Sequence, residues 1–116
     1  MTWNAKDFDL VNIPIGKRQG MLPKHLLKIL EVSKSLGLNP SRVWIYGSRA
    51  RGDARENSDF DLAFEVTQAD SWSQFVTGVQ DDPPALYKYD LVDIKKADKS
   101  LADAILREGI LIYESR

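Results

Sequence analysis

Apolar positions recur along the chain in two periods, and the change from one to the other separates the elements. Leu22, Leu26, Leu27, Ile29, Leu30 and Leu36 fall three and four residues apart, which predicts a helix over Pro23 to Leu36 with one apolar stripe. Proline suits the first turn, where its missing N–H has no helical role, and Gly37 is placed to cap the end. Asn39-Pro40-Ser41 reads as a turn. Arg42 to Tyr46 is a β-branched and aromatic run, hence a strand, and it stops at Gly47-Ser48. Residues 48 to 54 read as a short turn or helix. From Ser58 to Val66 the period drops to two: Phe60, Leu62, Phe64 and Val66 alternate with Asp59, Asp61, Ala63 and Glu65. This predicts a strand with one apolar face and an opposite face that begins with two carboxylates.

The second half repeats the alternation of helix and strand. Trp72, Phe75, Val76 and Val79 share one side of a helix predicted over Ser71 to Val79, and Asp81-Asp82-Pro83-Pro84 interrupts the chain after it. Tyr87 to Ile94 is a third strand. Lys99 to Arg107 is a helix with Leu101, Ala102, Ile105 and Leu106 inward and Gly109 at its end. Ile110 to Tyr113 forms a short final strand or packed tail. The expected fold is α+β (α/β layers): a small mixed sheet flanked by helices. Residues 1 to 21 show no sustained period. They are expected to form a loosely packed N-terminal arm, with one short element around Phe8 to Ile15, ahead of a single domain over residues 22 to 116.

Composition narrows the chemistry. The 116 residues suffice for one domain and one modest core. Sixteen Lys and Arg against 17 Asp and Glu leave a formal charge of −1, so the net field offers nothing to duplex nucleic acid. Cysteine is absent and there is one histidine. A disulfide scaffold, a thiol nucleophile, a cysteine zinc site and a multi-histidine metal site within one chain are therefore excluded. No apolar run approaches the roughly 18 residues of a membrane span, and no signal peptide opens the chain, which points to the cytoplasm. Catalysis would rest on carboxylates, hydroxyls, Arg, Lys and the backbone.

Those groups concentrate between Gly47 and Leu62. A Gly-Ser pair at a strand end can turn the backbone sharply and present N–H groups to an anion, and a following helical turn adds its partial positive charge. The small Gly47 lets a phosphate approach, and the Ser48 hydroxyl can donate a further hydrogen bond. Asp59-Phe60-Asp61 then places two carboxylates on one face of a strand, roughly 7 Å apart. They repel unless cations sit between them, and Mg²⁺ favours a few carboxylates combined with phosphates and water. An anion cradle beside a carboxylate pair describes a site for a nucleoside triphosphate and Mg²⁺. A third acid is expected on the next strand, where Asp90 and Asp93 fall on opposite faces. Asp90 puts Tyr89 and Leu91 into the core, whereas Asp93 would force Asp90 inward, so parity favours Asp90.

Gly47-Ser48, ten intervening residues, Asp59-x-Asp61 and a later strand acid resemble the minimal nucleotidyltransferases of the DNA polymerase β superfamily. Ala50-Arg51-Gly52 and Ser58-Asp59 also match that family's wording, and the resemblance covers about residues 22 to 113. It implies a polymerase β palm-like nucleotidyltransferase fold. It further implies two Mg²⁺ ions held by Asp59, Asp61 and Asp90, with Gly47 and Ser48 on the β- and γ-phosphates and Arg49 and Arg51 as added phosphate contacts. Attack on the α-phosphorus would release pyrophosphate and leave a nucleoside monophosphate, AMP from ATP, on an acceptor. Minimal members are commonly encoded beside a helical HEPN protein, which can be a ribonuclease toxin. The resemblance thus implies an antitoxin that modifies a tyrosine of such a partner.

Two rivals stand beside that reading. One is a non-catalytic binding module that neutralises its partner by contact. The other transfers the nucleotide to a small molecule or an RNA end, although no room remains for the extra domain such relatives carry. Arg49, Arg51 and Arg55 are also compatible with a solvated face. His25 reads as a surface or half-buried residue, Trp44 as core, and Trp72 as a candidate for nucleobase stacking beside the site.

Overall fold

The chain forms one four-stranded mixed sheet in the computed structural model, which describes residues 2–115. The strands are β1 (Pro40–Tyr46), β2 (Phe60–Val66), β3 (Tyr89–Asp93) and β4 (Ile110–Glu114), in the order β3-β2-β1-β4. β1 runs antiparallel to both β2 and β4, and β2 runs parallel to β3. The helices are α1 (Lys24–Ser35), a single turn α2 (Ser48–Arg51), α3 (Trp72–Asp81) and α4 (Lys99–Glu108). The parallel β2–β3 pair needs a crossover, and α3 supplies it. Among the described residues no helix is long and apolar enough to cross a membrane.

The two faces of the sheet carry unequal loads. Val43, Ile45, Leu62, Phe64, Leu91 and Ile112 point into the main core with the apolar stripes of α1 and α3: Leu26, Ile29 and Leu30 from the first, Phe75 and Val79 from the second. The opposite face holds a smaller cluster, Trp44, Ala63 and Ile105, the last contributed by α4. Trp44 is buried as its place in the strand implies. Asp98 starts α4 by accepting the Leu101 amide at 2.8 Å.

Several boundaries move from the sequence expectation. Pro40 enters β1 rather than ending a turn. It occupies the first strand position, just before the register shifts between Pro40 and Arg42, where its missing donor is tolerated. β2 begins at Phe60, two residues late. Ser58 is held in a turn instead: its amide donates to the Arg55 carbonyl at 3.0 Å, and its Oγ accepts the Arg55 amide at 2.8 Å. Asp59 therefore lies in the lead-in to the strand. β3 likewise starts at Tyr89, leaving Tyr87 and Lys88 in the preceding loop.

The N-terminal segment is not loose. It folds as three 3₁₀ helices, Ala5–Phe8, Leu10–Asn12 and Ile15–Met21. Ala5 and Leu10 are fully buried in the main core. The Arg18 guanidinium donates to the carbonyls of Ile13 at 2.8 Å and of Leu111 in β4 at 2.7 Å. Short turns leave no run long enough for a helical period, which is why periodicity did not reveal this packing.

Candidate active site

Strand register decides which side chains meet. Tyr46 pairs with Asp61 across β1–β2, and Asp61 pairs with Asp90 across β2–β3. Directly opposed residues share a face, so the three form one polar row across the sheet. The adjacent row on that face is Trp44, Ala63 and Val92, which packs against α4. The polar row lies one step beyond it. Asp59 joins from the lead-in to β2 and is exposed, Asp90 is exposed, and Asp61 is half-buried. Asp93 falls on the core face, 6% exposed, where its Oδ1 accepts the Lys95 amide at 3.1 Å. The structure thus brings Asp59, Asp61 and Asp90 to one side of the sheet and sends Asp93 to the other.

The row is electrostatically unbalanced. Burial, then the carboxylates of Asp90 and Asp59, push the Asp61 carboxyl up to about 6, against the opposing pull of Arg51. Tyr46 is raised well above the ordinary phenol range by burial, then by Asp90 and Asp61. It stays protonated and donates to Asp90 Oδ2 at 3.4 Å. Sequence reasoning missed Tyr46: parity alone gives its face, but only register places it beside Asp61.

Gly47 is required by this row. Its φ of 70° and ψ of −153° lie in a region essentially limited to glycine. A Cβ there would collide with Asp61 Oδ2 and approach its Cγ to 3.1 Å. The missing side chain therefore makes space for Asp61 itself. Ser48 follows as the first residue of α2. The Gly47 carbonyl accepts the amides of Ala50 and Arg51 at 3.1 and 3.0 Å, so the Ser48 and Arg49 amides precede the first intrahelical donors.

The two arginines of the motif part company. Arg51 is exposed, with its Nε 3.5 Å from Asp53 Oδ2, and its charge reaches Asp61. Arg49 is 1% exposed. Its Nη1 donates to the Trp3 carbonyl at 2.8 Å and its Nη2 to the carbonyls of Glu56 and Ser58 at 3.1 and 2.7 Å. The guanidinium also sits 4.1 Å from the Phe60 ring centroid. The expectation of a side-chain phosphate contact at Arg49 does not match this placement, because the guanidinium is buried and its Nη1 and Nη2 donate to backbone carbonyls, while the buried Nε has no partner among the described residues. His25 completes the same aromatic cluster on the core face: Tyr89 Oη lies 2.9 Å from its Nδ1, and it stacks on Tyr87 at 5.1 Å. Burial, then Arg49, lowers the His25 pKa. Trp72 is partly buried and packs edge-on to Phe64 and against Phe75, on the core side of the sheet rather than beside the acidic row.

A cleft of about 520 Å³ opens between Asp59 and Asp90, walled by Val79, Pro83, Tyr87 and Lys88. Its size suits a nucleoside. The carboxylate oxygens beside it are hard donors of the kind that bind Mg²⁺ together with phosphate and water. Their mutual repulsion, visible at Asp61, is what a divalent cation would relieve. Among the described residues no three acidic or histidine side chains close around a single point. The carboxylates supply oxygen donors of the type Mg²⁺ takes, without a closed set of ligands from the chain alone.

Residues 24–116 match the family described as polymerase beta, nucleotidyltransferase. No curated protein sequence matches. Among solved structures, a chain of a toxin–antitoxin complex with AMP-PNP superposes with a TM-score of 0.61 at 19% identity, covering 77% of this chain and 73% of that one. A chain of the MntA–HepT toxin–antitoxin complex gives 0.52 at 16% identity, over 78% and 71%. A candidate nucleotidyltransferase from Sulfolobus solfataricus gives 0.51 at 22% identity, over 86% of each chain. At these identities the likeness is one of fold.

Proposed function

The chain belongs to the polymerase beta nucleotidyltransferase family, and from that premise we propose that it transfers AMP from ATP to a tyrosine hydroxyl of a HEPN-type toxin partner, acting as its antitoxin. The observation that carries the reading is the register-fixed pair Asp61 and Asp90, with Asp59 beside them and the Gly47-Ser48 turn against Asp61. The fold likeness to chains of toxin–antitoxin complexes, one of them with AMP-PNP, supports the choice of nucleotide and partner.

Each residue then has a task. Asp59, Asp61 and Asp90 would hold two Mg²⁺ ions between protein and triphosphate. When bound, the ions would neutralise phosphate charge and lower the pKa of the acceptor hydroxyl. The Ser48 and Arg49 amides and the Ser48 hydroxyl grip the terminal phosphates, and Arg51 adds charge from the solvent side. Asp90 takes the acceptor's proton. The acceptor oxygen bonds to the α-phosphorus as the bond to the β-phosphate bridging oxygen breaks, and pyrophosphate leaves. Positioning and charge neutralisation supply most of the rate. Tyr46 donates to Asp90 and holds it in the row.

Intact-protein mass spectrometry tests the reading. The chain is incubated with Mg²⁺, each nucleoside triphosphate in turn, and the product of the neighbouring gene. A gain of one or more AMP units on the partner, lost with Asp59→Asn, is expected. A stable complex with no mass change under any nucleotide would replace the enzyme with the contact-only module.

A further inference from the structure

A fully buried arginine in so small a protein is unusual, because desolvating its charge is costly unless the surroundings repay it. Arg49 sits between Ser48 and Ala50, in the turn assigned to phosphate. Its guanidinium reaches three other segments. One bond goes to Trp3, in the N-terminal arm; two go to Glu56 and Ser58, in the loop that leads to Asp59. The flat face of the group stacks on Phe60, the residue after Asp59, and lies 5.4 Å from the Tyr87 ring. Both chain neighbours of Asp59 are thus fixed to Arg49, one through its carbonyl and one through its ring. The arm adds a second tie to the same loop: the Ala54 amide donates to Asn4 Oδ1 at 3.3 Å. Asn4 is itself buried, and Trp3 is seated by its indole bond to the Met21 carbonyl at 3.2 Å and by Phe60 at 6.1 Å between ring centroids.

We propose that Arg49 is a positioning residue that, with Trp3 and Asn4 of the arm, fixes the 54–58 loop and so sets Asp59 relative to Ser48. A planar fork can hold carbonyls along its edges while its flat face lies on aromatic rings, which a compact ammonium cannot do. The arm lies ahead of the residues that match the family, so in this chain the segment outside the match braces the site within it. The inference rests on the reading of Asp59 as a cation ligand only for its effect on metal affinity. The clamp itself is a statement about the loop.

Arg49→Met and Arg49→Lys, and separately Asn4→Ala, are compared with the full-length chain after circular dichroism has confirmed their fold. Amide hydrogen exchange is followed at residues 54 to 59, and Mn²⁺ affinity is measured by paramagnetic resonance without nucleotide. In Arg49→Met, exchange at 54 to 59 should accelerate while β1 and β4 are unchanged, and Mn²⁺ should bind roughly 10- to 100-fold more weakly, the usual loss when a support of a metal ligand is removed. Arg49→Lys should show the same pattern, reduced, and Asn4→Ala a change of a few-fold. Where a partner is being modified, the Mg²⁺ needed for half-maximal transfer should rise and kcat should recover at saturating Mg²⁺. Mere loss of folded protein would not give that split. Unchanged exchange in folded Arg49→Met, or in Asn4→Ala should the former not fold, overturns the clamp. If the wild-type chain transfers no nucleotide while the exchange pattern holds, the proposed function fails and the clamp stands.

Discussion

Two clusters of charge lie within a few residues of each other and are treated in opposite ways. Around Arg49 the cation is buried, two of its nitrogens are engaged by three carbonyls, and aromatic rings cover its face. Around Asp61 the carboxylates face one another across register pairs with one exposed arginine to offset them. The first cluster is held mostly from within, through Nη1 and Nη2, with only the buried Nε left without a partner among the described residues. The second is left unbalanced, and the proposed function assigns its completion to cations and a triphosphate. Residue type and motif do not separate the two arrangements, since Arg49 is buried and Arg51 exposed within the same short motif.

The largest effect should come from neutralising the unbalanced cluster. Asp61→Asn should lower transfer by at least about 10²- to 10³-fold, measured in single turnover, without loss of fold. Full residual activity would break the comparison by showing that the cluster is not the site. Asp90 and Asp93 sharpen it, since they sit three residues apart on opposite faces. Asp90→Ala should abolish transfer and leave the melting temperature near wild type. Asp93→Ala should leave transfer per folded molecule intact and lower stability by about 1–2 kcal/mol, because the Lys95 amide loses its acceptor.

Gly47→Ala bears on both clusters' common hinge. Strain at its backbone conformation should lower stability by about 1–3 kcal/mol in urea denaturation. Transfer should fall further, because Asp61 must move to admit the methyl group.

The unbalanced cluster should also show in the pH dependence of stability. Asp61 titrates at about 6 in the folded chain against 3.8 for an ordinary carboxyl. Between these values the folded state binds more protons than the unfolded state, so stability is greatest below the lower value and declines as pH rises through the upper one. Solvent screening at this half-exposed group reduces the decline to about 1 kcal/mol. Denaturation at about pH 4 and pH 7 without divalent cation should reveal it, and Asp61→Asn should flatten it. Arg51→Ala is the smallest change. It should raise KM for ATP by about two- to five-fold, in keeping with an exposed charge contact.

Periodicity made α1, α3, α4 and the alternating strands legible, because each buries one face and the burial writes a period into the sequence. It also chose Asp90 over Asp93, since Tyr89 and Leu91 needed the core. The spacing from Gly47-Ser48 to Asp59 and Asp61 pointed to the family that residues 24–116 match. Tertiary structure alone decided the rest. Tyr46 reached the acidic row through strand register, a relation between segments that no local pattern encodes. Arg49 turned inward because carbonyls from the arm and the 54–58 loop converge on it, and Gly47 makes space for Asp61 because the β1 end passes beside β2. The arm, without a period of its own, became part of the core through single buried residues such as Ala5 and Leu10. Local pattern records which face a residue must bury, and only the assembled chain determines which distant groups share that face.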